Sequence, residues 1–245
     1  MNLGIDGRRA IVCGASSGIG LATAEALAGE GARVAMFARR RDVLEREAAR
    51  IGGIAVVGDL SDPADLARLV DTTVESFGGI DILVNSGGWI DPGPAVGLTP
   101  EEVGHAVDLL LVSALRLTTF CLPHLRRSGQ GRIVNISARA VREPNERMAA
   151  GAIARVGAVA WAKTLARELA PSGITVNTIA TGAIATERST ETAAEAGFDL
   201  AAVPMGRMGE PWEMAQVVCF LASQGASYIT GAVIPVDGGL TRFLL

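Results

Sequence analysis

Short apolar runs recur along the chain, and they are apolar on both faces. RRAIVCGA, RVAMFAR, IDILVNSGG, RIVNIS, TVNTIA and GAVIPV all lack the alternation of a sheet with one wet face. Strands of this kind need helices over both sides, which is the condition of a parallel sheet. The intervening segments supply those helices. IGLATAEALAGEGA reads as a helix ending near Gly31. Asp62, Pro63 and Asp65 give a cap, a first-turn proline and a first-turn acid, opening a helix over roughly 64–77. Thr99, Pro100 and Glu102 combine a cap, a proline at the first helical position and a capping box. They predict a helix running to Pro123 or a little past it. A long helix is expected from about Met148 to Leu169, stopped by Pro171 and Gly173, and a short one over EMAQVVCFLAS. Repeated βαβ units predict one doubly wound α/β domain, a Rossmann-type sheet with helices on both faces. With 245 residues the chain suits a single domain with a substantial core, so 1–245 read as one unit. The stretch around 182–211 is too long and irregular for an ordinary connection and predicts a substrate loop.

Composition excludes several roles. A formal net charge of -4, with basic residues scattered, offers no footprint for nucleic acid or an anionic membrane. Three widely spaced cysteines, Cys13, Cys121 and Cys219, sit in apolar stretches and read as buried free thiols of a reducing compartment. The N-terminus lacks the apolar run of a signal peptide. No apolar stretch approaches the length that spans a bilayer. The expectation is a cytoplasmic protein. His105 and His124 read as surface or capping residues, and no cluster at ligand spacing suggests a metal.

The first strand meets the first helix in CGASSGIG. Gly14, Gly18 and Gly20 let backbone N–H groups approach a pyrophosphate at the helix N-terminus, with Ser16, Ser17 and Ile19 between them. Gly20 lets helix and sheet close up. The second strand ends in Ala38-Arg39-Arg40, without the acid that would bind an adenosine ribose and favour NAD. Arg39, with Arg40 beside it, is expected to contact a 2'-phosphate, so NADP is favoured over NAD. Asp59 and Leu60 follow the third strand, with Asp59 placed to accept from the adenine amine. Asn85 and Gly87 follow the fourth and are candidates to pack against the adenosine.

These residues resemble the short-chain dehydrogenase/reductase family, in particular its bacterial 3-oxoacyl-carrier-protein reductase-like branch. CGASSGIG is similar to the family's TGxxxGIG, and NSGG to its NNAG. GRIVNIS, LARELAPSGITVNTIATG and SYITGAVIPVDGG resemble three further blocks. The likeness covers essentially the whole chain. Gly182 follows Thr181 where the family usually has Pro-Gly, and is a further candidate at the cofactor. The family's chemistry uses Asn, Ser, Tyr and Lys: the Tyr moves the proton, the Lys binds the nicotinamide ribose and lowers the Tyr pKa, the Ser holds the substrate oxygen, and the Asn holds a relay water. Carried over one by one, these positions are Leu110, Ala138, Gly151 and Arg155, with Ser137 just before the serine position. The one tyrosine, Tyr228, lies near the C-terminus and reads as a packed ring whose hydroxyl meets the backbone. Relatives with a Ser-Tyr-Arg arrangement, the halohydrin dehalogenases, share an arginine like Arg155, but they keep the Tyr and lack these glycines.

Two groups remain to act. The loop after RIVNIS carries Ser137, Arg139, Arg142, Glu143, Asn145, Glu146 and Arg147 at the carboxyl end of a central strand, where such sheets bind ligands. Arg155 lies one helical turn beyond Gly151, on the same face. Its pKa excludes proton donation, so the expected role is to anchor the cofactor or an acidic substrate. The leading expectation is an NADP(H)-binding oxidoreductase interconverting an unknown carbonyl and alcohol, with Ser137, Arg155 and Glu143 as candidate catalytic residues. A non-catalytic NADP(H)-binding partner or sensor is the first alternative, and a non-redox lyase or isomerase using Arg155 and Glu143 the second. DLLLVSAL and AVAWAKTLA are apolar beyond one stripe and suggest subunit contacts. The resemblance implies a homotetramer.

Overall fold

The computed structural model describes residues 2–144, 146–190 and 200–243. Seven parallel strands form one sheet: β1 (Arg9–Cys13), β2 (Arg33–Ala38), β3 (Ile54–Val57), β4 (Ile82–Asn85), β5 (Arg132–Ala138), β6 (Thr175–Thr181) and β7 (Val233–Val236), in the order β3-β2-β1-β4-β5-β6-β7. The order reverses between β1 and β4. That switch point opens a crevice at the carboxyl ends of the strands, where open α/β sheets take their ligands.

Helices cover both faces, as the two-sided apolar strands require. On one face α1 (Gly18–Gly29) and α7 (Pro211–Ala222) bring Ala24, Leu27, Met214 and Val218 against Val12, Val84 and Val134. On the other, α3 (Pro63–Phe77), α5 (Ser113–Ser128) and α6 (Ala149–Leu169) bury Leu66, Leu117, Cys121 and Leu169 against Ile11, Leu83 and Ile133. The cap signals hold. Asp62 accepts from the N–H of Ala64, and Thr99 and Glu102 form a reciprocal capping box at the start of α4 (Pro100–Val107). All three cysteines are buried free thiols, and burial pushes the Cys13 thiol up to about 12.

The amino ends of the strands are closed by charge. Asp81 accepts from the backbone N–H of Arg9 at 2.9 Å and from its Nε and Nη2 at 2.7 and 2.6 Å. The buried Arg8 donates to the carbonyls of Ala222 and Gln130 at 2.7 and 2.5 Å. The buried Arg132 donates to those of Gly131 and Ser223 at 2.9 and 3.3 Å. These arginines tie strand starts to helix ends far from the crevice.

Four features depart from the sequence reading. A helix, α2 (Arg41–Arg50), follows β2; its sequence RDVLEREAAR is so charged that only Leu44 and Ala48 are buried. The helix begun at Thr99 is not uniform: Asp108–Val112 forms a π turn between α4 and α5. The whole run Pro100–Ser128 is 29 residues, with a mean hydropathy of 1.6 over its most apolar window, so by length and composition it could cross a membrane. The expectation that nothing approaches that length is corrected for this run, in which α4, the π turn and α5 follow one another without a break. Leu117, Cys121 and Leu125 of this run are core residues of the domain. Finally, Tyr228 is wholly exposed. It stands in a turn closed by the Ile229 N–H on the Ala226 carbonyl, and Ala226 takes the inward position instead.

Candidate functional site

The β1–α1 turn is built on close backbone approach. A Cβ on Gly20 would fall into the Gly14 peptide, 2.6 Å from its carbonyl carbon, so only glycine lets α1 sit on the turn. A Cβ on Gly14 would lie 2.8 Å from the Ser86 carbonyl oxygen, and its φ of +63° is itself a glycine conformation. Ser17 is extended ahead of α1, gives no side-chain cap, and the first turn contains no acid. Its N–H groups are left for an anion. Ile19, between the glycines, packs on the core beneath.

The two arginines after β2 part company. Arg40 lies on the glycine turn, with Nε and Nη2 each 3.3 Å from Ser16 Oγ and Nη2 3.3 Å from its carbonyl oxygen. Arg39 is exposed and faces Asp59 at 3.9 Å. The Asp59 backbone N–H donates to Asp65 at 2.8 Å and its carboxylate accepts from the Ser61 N–H at 2.8 Å, fixing the loop after β3. Gly182 is pressed on Asp237, whose Cα would lie 2.5 Å from an added Cβ.

A cleft of about 580 Å³, open to solvent, lies at the strand ends. Leu60, Asn85, Ser86 and Gly87 line it from the β3 and β4 ends, Asn135 and Ser137 from β5, and Arg155, Ala158 and Trp161 from α6. Leu109 and Leu110 of the π turn close one wall, and Leu110 Cδ2 lies 2.6 Å from where Gly88 would place a Cβ. π turns are frequent at functional sites. Asn85 and Asn135 are register partners on adjacent strands, and Asn85 Nδ2 donates to Asn135 Oδ1 at 2.8 Å. That leaves Asn135 Nδ2 buried without a partner, and Ser137 Oγ is likewise buried and unpaired.

Arg155 lines this cleft and lies over Gly151, its Nη1 2.5 Å from the position of a Cβ there. Burial lowers its pKa. No carboxylate lines the cleft among the described residues. Glu143 does not line it either: it holds Arg139 at 2.7 Å, one helical turn away in sequence. Arg142 donates to the Val233 carbonyl at 2.6 Å. Arg139, Arg142 and Glu143 of the loop after β5 are thus spent within the fold, while Asn145 lies outside the described residues. In the loop after β4, Asp91 accepts from Trp89 Nε1 at 2.9 Å and from Arg188 at 3.3 Å, and the Arg188 guanidinium lies 4.9 Å from the Trp89 ring centre. This contact joins the loop after β4 to the start of the 182–211 stretch. That stretch is pinned at its ends by the Ala185 N–H on the Gly209 carbonyl and the Gly209 N–H on that of Ala183. Residues 191–199 of the expected substrate loop lie outside the described residues. His105 is exposed and His124 contacts Arg127 at 2.6 Å, away from the cleft.

Of the residues singled out from the sequence, Leu60, Asn85, Gly87, Ser137 and Arg155 line this cleft, while Gly14, Gly18 and Gly20 do not; Asn135, Trp161 and the π turn were missed. An asparagine inside the apolar run IVNIS was the available signal for the first.

Comparison with known proteins agrees with this architecture. Residues 14–241 match the family described as enoyl-(acyl carrier protein) reductase. The chain is 35% identical over 241 residues to the 3-oxoacyl-[acyl-carrier-protein] reductase of Vibrio cholerae, covering 97% of this chain and 99% of that one. To its counterpart in Escherichia coli it is 36% identical over 242 residues, with the same coverage. Among solved structures, L-sorbose reductase from Gluconobacter frateurii, complexed with NADPH and L-sorbose, superposes with a TM-score of 0.94 at 32% identity over the whole of both chains. A point variant of the actinorhodin polyketide ketoreductase with NADPH gives 0.91 at 31% identity over 96% of this chain and 98% of that one. The chain belongs to the short-chain dehydrogenase/reductase family, within the group that matches the enoyl-(acyl carrier protein) reductase description.

Proposed function

We propose that this protein is an NADP(H)-dependent oxidoreductase that interconverts a carbonyl and an alcohol with an altered set of catalytic residues. The observation that carries the reading is the glycine turn, closed so tightly on α1 that no side chain fits at Gly20 or Gly14. Such closure serves a pyrophosphate brought against backbone N–H groups. Ser16, Ser17 and Gly18 border that cradle, Leu60, Asn85 and Gly87 flank the adenosine side, and Gly182 lets β6 end close to β7. Arg40, docked on Ser16, and Arg39 beyond it provide positive charge for a 2'-phosphate where NAD enzymes place an acid. NADPH in the solved structures of the sorbose reductase and the polyketide ketoreductase supports the same choice.

Bound there, the cofactor supplies or accepts the hydride. This chain's own part differs from the family pattern, because Gly151, Arg155 and Leu110 stand where that pattern has Tyr, Lys and Asn. Arg155 lines the same cleft and supplies fixed positive charge that draws an anionic substrate into it. Ser137 Oγ, unpaired in the cleft, or a water beside it gives the reacting oxygen its proton. Losing a positioned general acid costs about 10²–10⁴-fold, so turnover on simple ketones is slow. A second reading, a non-catalytic NADP(H)-binding partner, is favoured by that same absence of a proton donor at position 151. Glu143 contributes little to a lyase or isomerase, since Arg139 holds it outside the cleft.

Free buried thiols suit a cytoplasmic protein. Leu115, Phe120, Ile153 and Val156 leave α5 and α6 with an exposed apolar face, and Trp212 and Phe220 do the same for α7. Two such faces on one domain fit a homotetramer with two kinds of interface. Titration of ligand-free protein with NADPH and NADH tests the cofactor reading. Tighter binding of NADPH supports it, and no binding of either sinks it. A ketone and alcohol panel then separates the enzyme from the silent partner.

A further inference from the structure

We propose that the cleft selects a substrate carrying one carboxylate on a short apolar body, and that Arg155 is the residue that binds it. The inference rests on the reductase reading for what happens to the ligand, and not for whether it binds.

Three observations converge. First, Arg155 makes no ion pair or hydrogen bond among the described residues, in contrast to Arg9, Arg139 and Arg207, which all meet carboxylates. It is half-buried at the cleft wall beside Gly151, and no acid lines the cleft to offset it. A partly shielded cation with no partner gains from an anion that reaches it. Ribose or alcohol hydroxyls would displace water and leave the charge uncompensated. Second, the other unpaired polar groups in the same cleft are Asn135 Nδ2, a donor, and Ser137 Oγ, which can donate. A planar guanidinium with such neighbours matches the two oxygens of a carboxylate. Third, the rest of the wall is apolar: Leu109, Leu110, Ala158, Val159 and Trp161. One guanidinium against apolar walls suits a monoanion with a hydrocarbon remainder, and not a strongly hydrated phosphate dianion.

Gly151 is what makes the subsite. A side chain there would claim the space that the guanidinium fills. The same replacement that removes a proton donor therefore opens an anion subsite one helical turn away.

The test is calorimetric titration of hexanoate, hexanamide and inorganic phosphate into NADPH-saturated and ligand-free protein, for the wild type and for Arg155→Gln and Arg155→Lys. Hexanoate should bind about 10–100-fold more tightly than hexanamide, as a charge-assisted pair implies. Arg155→Gln should abolish that preference while keeping the NADPH affinity and the thermal midpoint, and Arg155→Lys should restore part of it. If turnover occurs, 2-oxohexanoate should be preferred over 2-hexanone, and the preference should fall with Arg155→Gln. Equal binding of acid and amide by the wild type would overturn the proposal, as would phosphate binding without hexanoate. Loss of NADPH affinity in Arg155→Gln with the acid preference intact would assign the guanidinium to the cofactor. Failure of NADPH to bind the wild type would defeat the reductase reading alone, because the hexanoate titration of ligand-free protein still decides the subsite.

Discussion

The guanidinium of Arg155 occupies the volume into which a side chain at position 151 would project, with Nη1 2.5 Å from the Cβ that Gly151 lacks. The two positions are therefore not independent. A tyrosine introduced at 151 must first evict the arginine, which the flexible end of its side chain permits without disturbing the helix. Gly151→Tyr alone should keep the fold and weaken carboxylate binding, with little gain in ketone reduction. Gly151→Tyr combined with Arg155→Lys should raise NADPH-dependent ketone turnover by about 10²–10⁴-fold, followed by nicotinamide absorbance. A single variant as active as the double would show that the two positions do not compete.

Gly20→Ala should damage both stability and cofactor binding. The methyl meets backbone, the Gly14 peptide, and no side chain can swing away. Overpacking of this sort costs about 1–3 kcal/mol, more than the roughly 1 kcal/mol that alanine gains over glycine in a helix. Urea unfolding should show the loss, and NADPH titration should show binding weakened beyond detection or nearly so.

Arg40 and Arg39 should separate in a cofactor titration. Arg40 is held on the glycine turn by Ser16, whereas Arg39 is exposed and faces Asp59 at 3.9 Å. Arg40→Ala should lower NADPH affinity about tenfold and leave NADH affinity nearly unchanged, since one charge-assisted contact to the extra phosphate is lost. Arg39→Ala should have the smaller effect. An equal loss for both cofactors in Arg40→Ala would make that residue a support of the turn alone.

Acid should loosen the far end of the sheet first. Burial by itself would raise the Asp81 carboxyl, but the hydrogen bonds from Arg9 and Ser128, with the Arg9 charge, outweigh it and bring the pKa down from 3.8 to about 2. A carboxylate depressed in the fold stabilises it above its unfolded value, and that contribution fades as pH falls through the folded one. About 2 kcal/mol should therefore be present at neutral pH and disappear between about pH 5 and pH 2. Asp81→Asn should flatten this part of the pH–stability curve measured by urea unfolding, at the cost of a lower plateau.

The fold was legible because its signals are local. Two-sided apolar strands, the Asp62 cap and the Thr99 box each follow from neighbouring residues, and each stands where it was expected. What stayed hidden depends on tertiary placement. α2 buries two residues of ten, too few to print a helical stripe on RDVLEREAAR. The π turn at Asp108–Val112 leaves no mark in DLLLVSAL, since no glycine or proline forces it. Asn135 becomes a partner of Asn85 only once β4 and β5 are in register. Glu143 is available as far as sequence goes, and its pairing with Arg139 is evident only in the folded loop. Tyr228 misleads for a plainer reason: aromatic rings are usually sheltered, and this one stands on a turn whose inward place belongs to Ala226.

A tyrosine that moves protons must give one up and take one back in each cycle, and its readiness to do so follows the acidity of the surroundings. Arg155 carries a charge that stays put from mild acid to mild alkali, since burial only trims a guanidinium pKa that begins far above neutrality. A site that relies on such a guanidinium would present a fixed charge and not a titrating one. The hold on an anion should then be level across the physiological range, with any titration in the rate belonging to the substrate.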